Sequence, residues 1–378
     1  MAQSKSASNA KRSSSNGRKR RAKKDGDSPE VAKLVEHYEM MVLIRLFEEE
    51  TERQYKKARI GGYCHLSSGQ EATNVGAAAA LEKEDVLLTG YRGHGFALAK
   101  GLDPGAVMAE LFGRVDGSAH GRGGSMHICD TEFNYLGGWG IVAGQLPLAT
   151  GAAFALKQED RPQAVLCELG EGAVNMGAWH ESLNLAGIWD LPVVYIVLNN
   201  IYGMGTTVEK ASAEPEVHKR AAAYRMHGER VNGQDLEEVL EASERLLKRA
   251  REERKPAVLE CMTYRFRGHS VADAGTAYRT KEEIAERQEN DPIVTFGKTL
   301  MERGVISSQG ELDKIRSSAE KKVQKAVEFA ENSPDPDVDT LAQHVYGDPD
   351  TPEQFERMGP GSPFGERELV LSSGLGES

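Results

Sequence analysis

The sequence of 378 residues lacks a long apolar run. Its longest nearly pure one, Leu191–Leu198, is far short of the roughly 20 residues a membrane-spanning helix needs, so no membrane partner is expected. Cysteine is scarce: Cys64, Cys129, Cys167 and Cys261 lie far apart, with no CxxC pair and no metal-ligand spacing. This excludes a zinc ribbon or disulfide scaffold and suits a reducing compartment, so a cytoplasmic location is expected. The dinucleotide fingerprint G-x-G-x-x-G is absent too, since Gly170-x-Gly172 is followed by Asn175 where the third glycine should fall. A nicotinamide cofactor is therefore the weaker reading. Positive charge is missing from most of the chain. The first 24 residues hold nine Lys/Arg and no acid, which leaves −20 for the remainder against a total of −11. Such an acidic body argues against nucleic acid as a partner, because phosphate binding needs a basic face.

What is present is ordinary globular material, with 39% hydrophobic residues and 40 glycines. Three regions are expected. Residues 1–27 form a basic tail with almost no apolar side chains, too few to offset the entropy of ordering. Residues 28–347 form one α/β domain, and residues 348–378 are Pro-, Gly- and Glu-rich and read as extended or disordered. After Asp27-Ser28-Pro29, apolar positions recur at helical spacing to about Ala58. Ala- and Gly-rich segments follow at 71–81 and 144–156, and these are expected to approach a partner's backbone. Strands are predicted at 164–169, 193–198 and 257–262, and helices at 175–187 and 235–249. Short apolar strands alternating with helices predict a parallel sheet with helices on both faces.

The chemistry concentrates at Leu166-Cys167-Glu168-Leu169-Gly170-Glu171-Gly172 and, 26 residues further on, Asn199-Asn200-Ile201-Tyr202. A right-handed strand–helix–strand crossover sets the two strands side by side, so Glu171 and Asn200 both emerge at the carboxyl edge where α/β folds bind ligands. A carboxylate, an amide oxygen and a loop carbonyl suit Mg²⁺ when a diphosphate completes the shell. A Gly-x-Gly turn alone is usually structural. The asparagine pair at this spacing favours a metal–diphosphate site.

This stretch resembles the thiamine-diphosphate motif, GDG followed by about 25–30 residues and NN. The chain from about 30 to 345 resembles the alpha subunits of the pyruvate dehydrogenase family, first components of the 2-oxo acid dehydrogenases. Further matching blocks are Gly62–Leu66, Ser68-Gly69-Gln70-Glu71-Ala72, Tyr91-Arg92-Gly93-His94-Gly95, Gly121–His127, Gly140-Ile141-Val142 and Thr263–Thr280. The resemblance implies a thiamine-diphosphate-binding fold. It implies that Glu171, Asn200 and the Tyr202 carbonyl hold Mg²⁺, and that Tyr91 and Arg92 hold the diphosphate. Gly140, Val142, Gly170, Gly172 and Ala173 line the cofactor, and His65 and His269 stand at its reactive end as catalytic histidines. His127 is expected to line the pocket. Glu171 stands where the usual motif has Asp, and its longer arm still offers carboxylate oxygens.

The function so implied is decarboxylation of pyruvate, with the acetyl unit passed to the lipoyl group of a dihydrolipoyl acyltransferase. The chain would work in an α₂β₂ heterotetramer, where the beta subunit supplies the glutamate that activates the cofactor. Alternatives are acetoin or branched-chain 2-oxo acids as substrates, or a non-catalytic subunit of the same fold. The polar loop 265–280, with Arg265, Arg267 and Arg279 beside His269, is expected to be mobile and to close when an anionic cofactor binds.

Overall fold

The computed structural model describes residues 29–341; the expected basic tail (1–27) and the C-terminal segment (348–378) lie outside the described residues. Six strands form one parallel sheet: β1 (Val86–Gly90), β2 (Tyr135–Trp139), β3 (Val165–Gly170), β4 (Val193–Asn199), β7 (His227–Asn232) and β8 (Ala257–Met262), in the spatial order β2-β1-β3-β4-β8-β7. The short pair β5 (Tyr202–Gly203) and β6 (Thr206–Thr207) forms a separate hairpin just after β4. Every residue of β4 is buried, as expected of a central strand covered on both sides. Its residues alternate between two cores. Val194, Ile196 and Leu198 pack with one set of helices, and Val193, Tyr195 and Val197 with the other.

The first core is closed by α1 (Pro29–Lys56), α2 (Glu71–Ala79), α3 (His94–Lys100), α4 (Pro104–Leu111), α8 (Leu236–Glu253), α10 (Pro292–Glu302) and α11 (Gln309–Asn332). The opposite face is closed by α5 (Gln145–Gln158) and α6 (Gly177–Trp189). Two short helices, α7 (Val208–Ala211) and α9 (Lys281–Gln288), flank the loops above the sheet. Helix α8 shows why such segments fold. Leu236, Val239, Ala242, Leu246, Leu247 and Ala250 form its buried stripe, and the Asp235 carboxylate accepts from the N–H groups of Glu237 and Glu238 at 3.0 and 3.1 Å.

The predicted strands and α8 fall where expected, with ends shifted by a few residues. Two expectations change. The helix expected from Asn175 begins at Gly177, because a 3₁₀ turn over Glu171–Ala173 comes first. Helix α2, expected to face a partner, lies inside instead, with residues 71–78 all buried. Its Gly76 is the reason: a Cβ there would meet the Leu236 carbonyl and Val239 at 3.0 Å, so the missing side chain lets α8 approach.

Candidate active site

The strand order reverses between β1 and β3, and at this switch point the carboxyl ends of β1–β4 surround a cavity of about 720 Å³. Every site residue implied by the resemblance lines it. Tyr91 and Arg92 follow β1, Gly140 and Val142 follow β2, Gly170 ends β3 and Glu171, Gly172 and Ala173 form the turn after it, and Asn200 and Tyr202 follow β4. His65 and His269 arrive from loops on either side. His127 does not line the cavity. Its ring is exposed, with Nδ1 3.2 Å from the Gly138 carbonyl, and only the neighbouring Met126 reaches the wall.

The turn after β3 and the turn after β4 are joined. Glu171 Oε2 accepts from the Asn200 backbone N–H at 3.2 Å and from its side-chain Nδ2 at 3.0 Å. The other oxygen, Glu171 Oε1, is buried without a partner. Burial pushes the Glu171 carboxyl up from its ordinary range, against the Asn200 N–H and the nearby Arg265 and Arg92. A buried, unsatisfied carboxylate oxygen costs free energy unless a cation or donor meets it, and a divalent ion fits this position. Among the described residues no group of three or more His, Cys, Asp or Glu gathers to hold a metal. A metal here must therefore draw on amide and carbonyl oxygens and on its ligand's own oxygens, as Mg²⁺ with a diphosphate does.

Unpartnered buried atoms cluster around the same cavity. His65 Nδ1, Gln70 Oε1, Trp139 Nε1 and Gln145 Oε1 lack partners, and all four residues line it. Donors and acceptors left open on one surface mark a site for a polar ligand.

The rings of His65, Tyr91 and His269 form a cluster, with centroids 4.5 Å (His65–Tyr91), 5.2 Å (His65–His269) and 5.7 Å (Tyr91–His269) apart. Arg92 ties the two histidine segments together, donating from Nη1 to the Leu66 carbonyl at 2.7 Å and from Nη2 to the His269 carbonyl at 2.8 Å. The rest of its fork of donors is left for an anion. Burial, then Arg92, pulls His65 down to about 3 and His269 down to about 4. Both imidazoles are therefore neutral at neutral pH, each with a ring nitrogen free to act as an acceptor of hydrogen bonds.

The Ser68–Ala72 block explains itself here. Both carboxylate oxygens of Glu71 accept from the Gly69 N–H (3.1 and 3.0 Å), and the same carboxylate pairs with Arg45 at 2.6 Å. Gly69 sits at φ +97, where a Cβ would lie 2.3 Å from the Tyr264 carbonyl. Only glycine lets this turn lie against the strand-end segment leading to His269.

The loop 265–280 is more tied down than its composition suggests. Arg279 donates to the carbonyls of Arg265 (2.6 Å) and Arg267 (2.7 Å), and Arg267 pairs with Glu52 at 2.8 Å. Arg265 reaches Asn200 Oδ1 at 2.9 Å and the Tyr278 hydroxyl at 3.3 Å; that hydroxyl donates to Asp273, which also accepts the His269 N–H at 2.7 Å. Arg267 and Arg279 thus brace the loop itself, and only Arg265 faces the cavity.

Sequence reasoning missed several wall residues. Glu168 accepts the Gly90 N–H at 2.8 Å, and burial pushes its carboxyl up to about 7. A lone acid in an otherwise apolar strand was the available signal. Glu110 is a second. Fully buried on α4, it accepts the N–H groups of Ala119 and Gly121 on one oxygen and of Gly123 and Gly124 on the other, at 2.7–3.0 Å, and so shapes the loop leading to Met126.

Comparison with known proteins decides the family. Residues 38–339 match the family model described as the dehydrogenase E1 component. The chain belongs to the pyruvate dehydrogenase E1 alpha-subunit family. It is 41% identical over 326 residues to the pyruvate dehydrogenase E1 component subunit alpha of Rhizobium meliloti, covering 85% of this chain and 93% of that protein. The match to the subunit from Rickettsia bellii is 39% over 318 residues, covering 84% and 97%. The testis-specific mitochondrial form from Rattus norvegicus is 40% identical over 313 residues, covering 82% and 79%. Members of this E1 dehydrogenase family use thiamine diphosphate, which agrees with the polar, anion-ready cavity described above.

Proposed function

We propose that this chain is the alpha half of a pyruvate dehydrogenase (acetyl-transferring) that binds thiamine diphosphate with Mg²⁺. The observation that carries the reading is the Glu171–Asn200 pair, with its open carboxylate oxygen, in one cavity with Arg92, His65 and His269. Glu171, Asn200 and the Tyr202 carbonyl would hold Mg²⁺, and Tyr91 with Arg92 would orient the diphosphate. When bound, thiamine diphosphate supplies the thiazolium carbon that adds to the 2-oxo group and takes up the electron pair released with carbon dioxide. The imidazoles of His65 and His269 would hold and pass protons beside the reacting 2-oxo acid, with the anionic diphosphate offsetting the Arg92 charge that pulls both down.

Partners are part of this reading. The relatives are named as one subunit of an E1 component. We place the chain in an α₂β₂ heterotetramer that delivers acetyl groups to a lipoyl-bearing dihydrolipoyl acyltransferase. Leu148 and Phe154 on α5 and Ile188 and Trp189 on α6 are exposed, with the Phe154 and Trp189 rings 5.2 Å apart, and this apolar face suits an obligate partner. Four free thiols accord with a reducing compartment, and we assign the cytoplasm. Among the described residues no helix is long and apolar enough to cross a membrane.

The test is co-expression with a beta subunit, followed by calorimetric titration with thiamine diphosphate with and without Mg²⁺. Turnover is then measured as carbon dioxide release from pyruvate and 3-methyl-2-oxobutanoate, and as acetaldehyde release from acetoin, which has no carboxylate to lose. Metal-dependent binding and a preference for pyruvate are expected. Preference for either other substrate reassigns the specificity, and no binding with Mg²⁺ present leaves a non-catalytic subunit.

A further inference from the structure

The proposed site uses the second asparagine of the Asn199-Asn200 pair and leaves the first unexplained. Asn199 does not line the cavity and is buried beneath it. Its Nδ2 donates to Glu260 Oε1 at 2.7 Å, and its Oδ1 accepts the Ile201 N–H at 3.0 Å. Ile201 sits at φ +74, a left-handed conformation that is a true outlier for a β-branched residue. This strained residue lies between Asn200 and Tyr202. Whatever holds it in place decides where the Asn200 amide and the Tyr202 carbonyl point.

Glu260, on β8, is fully buried. Besides Asn199 it accepts from Arg230 Nε (3.0 Å) and Nη2 (3.1 Å), and from the backbone N–H and Nδ1 of His218 (3.0 and 2.8 Å). Those donors keep it a carboxylate despite burial, holding it below the ordinary range. A carboxylate only accepts. Asn199 must therefore turn its NH₂ toward Glu260, and this leaves its oxygen toward the Ile201 N–H. Flipped, the amide would set oxygen against carboxylate and NH₂ against N–H, two repulsive contacts in place of two hydrogen bonds.

We propose that Glu260 is a positioning residue for the Asn200–Tyr202 turn, acting through Asn199, whose amide orientation it dictates and whose oxygen pins the strained Ile201. The proposal rests on the reading above, in which this turn holds the metal and diphosphate.

The test uses Glu260→Gln, Asn199→Ala, the double variant, and Arg230→Gln, which removes an ion partner of Glu260 without touching Asn199. Hydrogen exchange of the cofactor-free protein reads the turn directly. The Ile201 amide should exchange at least tenfold faster in Glu260→Gln and Asn199→Ala, and no more than twofold faster in Arg230→Gln. Calorimetric Mg²⁺ titration at saturating thiamine diphosphate, in the assembled complex, should show about tenfold weaker binding for both single variants. The double variant should be no weaker than Asn199→Ala, because the two residues act in series. Arg230→Gln should lower the melting temperature with metal affinity within twofold of wild type.

Unchanged exchange and affinity in Glu260→Gln, or additive losses in the double variant, overturn the proposal. Where Glu260→Gln does not fold, wild-type metal affinity in Asn199→Ala overturns it as well. A wild-type protein that binds no Mg²⁺–thiamine diphosphate refutes the proposed function instead, and the exchange measurement still decides the role of Glu260.

Discussion

At the scale of single residues, one oxygen atom stands out. Glu171 Oε1 has no partner, while Oε2 is committed to Asn200. Asn200→Ala should weaken Mg²⁺-dependent cofactor binding by roughly 100-fold or more, beyond the 10–100-fold typical of outer-shell changes. Glu171→Gln should do the same, and Glu171→Asp should keep a measurable part; calorimetry reads all three. The histidines give a pH prediction. His65 and His269 take up protons less readily folded (about 3 and 4) than unfolded (6.5). The unfolded chain therefore binds more protons between about pH 6.5 and pH 4, so stability present above 6.5 is lost as pH falls through that window. His65→Asn should lose less stability than wild type between pH 7 and pH 4.5, measured by the urea midpoint. Glu171, Asn200 and the two histidines could be picked out in the sequence because motif spacing and neighbouring text mark them. Trp139 and Gln145 could not, because whether a residue at the end of β2 or the start of α5 meets a cavity depends on which strands become neighbours. His127 stands within a matching block too, but its exposed ring packs behind Gly140 and does not itself line the cavity.

At the scale of elements, contacts between helices explain both the success and the error of the sequence reading. The strands were legible as short apolar runs buried on both faces, and α8 as one helical period with one buried stripe. Helices α2 and α5 are both rich in small residues, and composition alone does not say which one is enclosed. Glycine packing settles it. Gly95, at the start of α3, lies where a Cβ would meet Asn74 Nδ2 at 2.0 Å and Ser67 Oγ at 2.9 Å. Gly95→Ala should separate α3 from α2 and cost about 1–3 kcal/mol in urea unfolding, as overpacking does. Asp235→Ala removes the cap of α8 and should cost about 1 kcal/mol. Asp235 does not line the cofactor cavity, so cofactor affinity should hold.

At the scale of the whole molecule, the far end of the described chain braces the loop that leads to the cavity wall. The loop that Glu110 organises is also held from outside: Val115 N–H donates to the Pro334 carbonyl at 3.0 Å, Ser333 bonds Asp116 at 2.7 Å, and Arg114 pairs with Asp335. Removal of residues 309–341 should therefore loosen 113–124 and raise its proteolytic cleavage, even though no deleted residue lines the cavity. This closure has a consequence for timing. Ribosomes extend a chain at about 5–20 residues per second, so some 10–40 seconds separate the emergence of Met126 from that of Asp335. In the last part of that interval, after β8 has emerged at Met262, the nascent chain has its six sheet strands but not the brace behind one wall. A chain still on the ribosome should then hold thiamine diphosphate poorly, and the finished site should form only once α11 has been released to fold back.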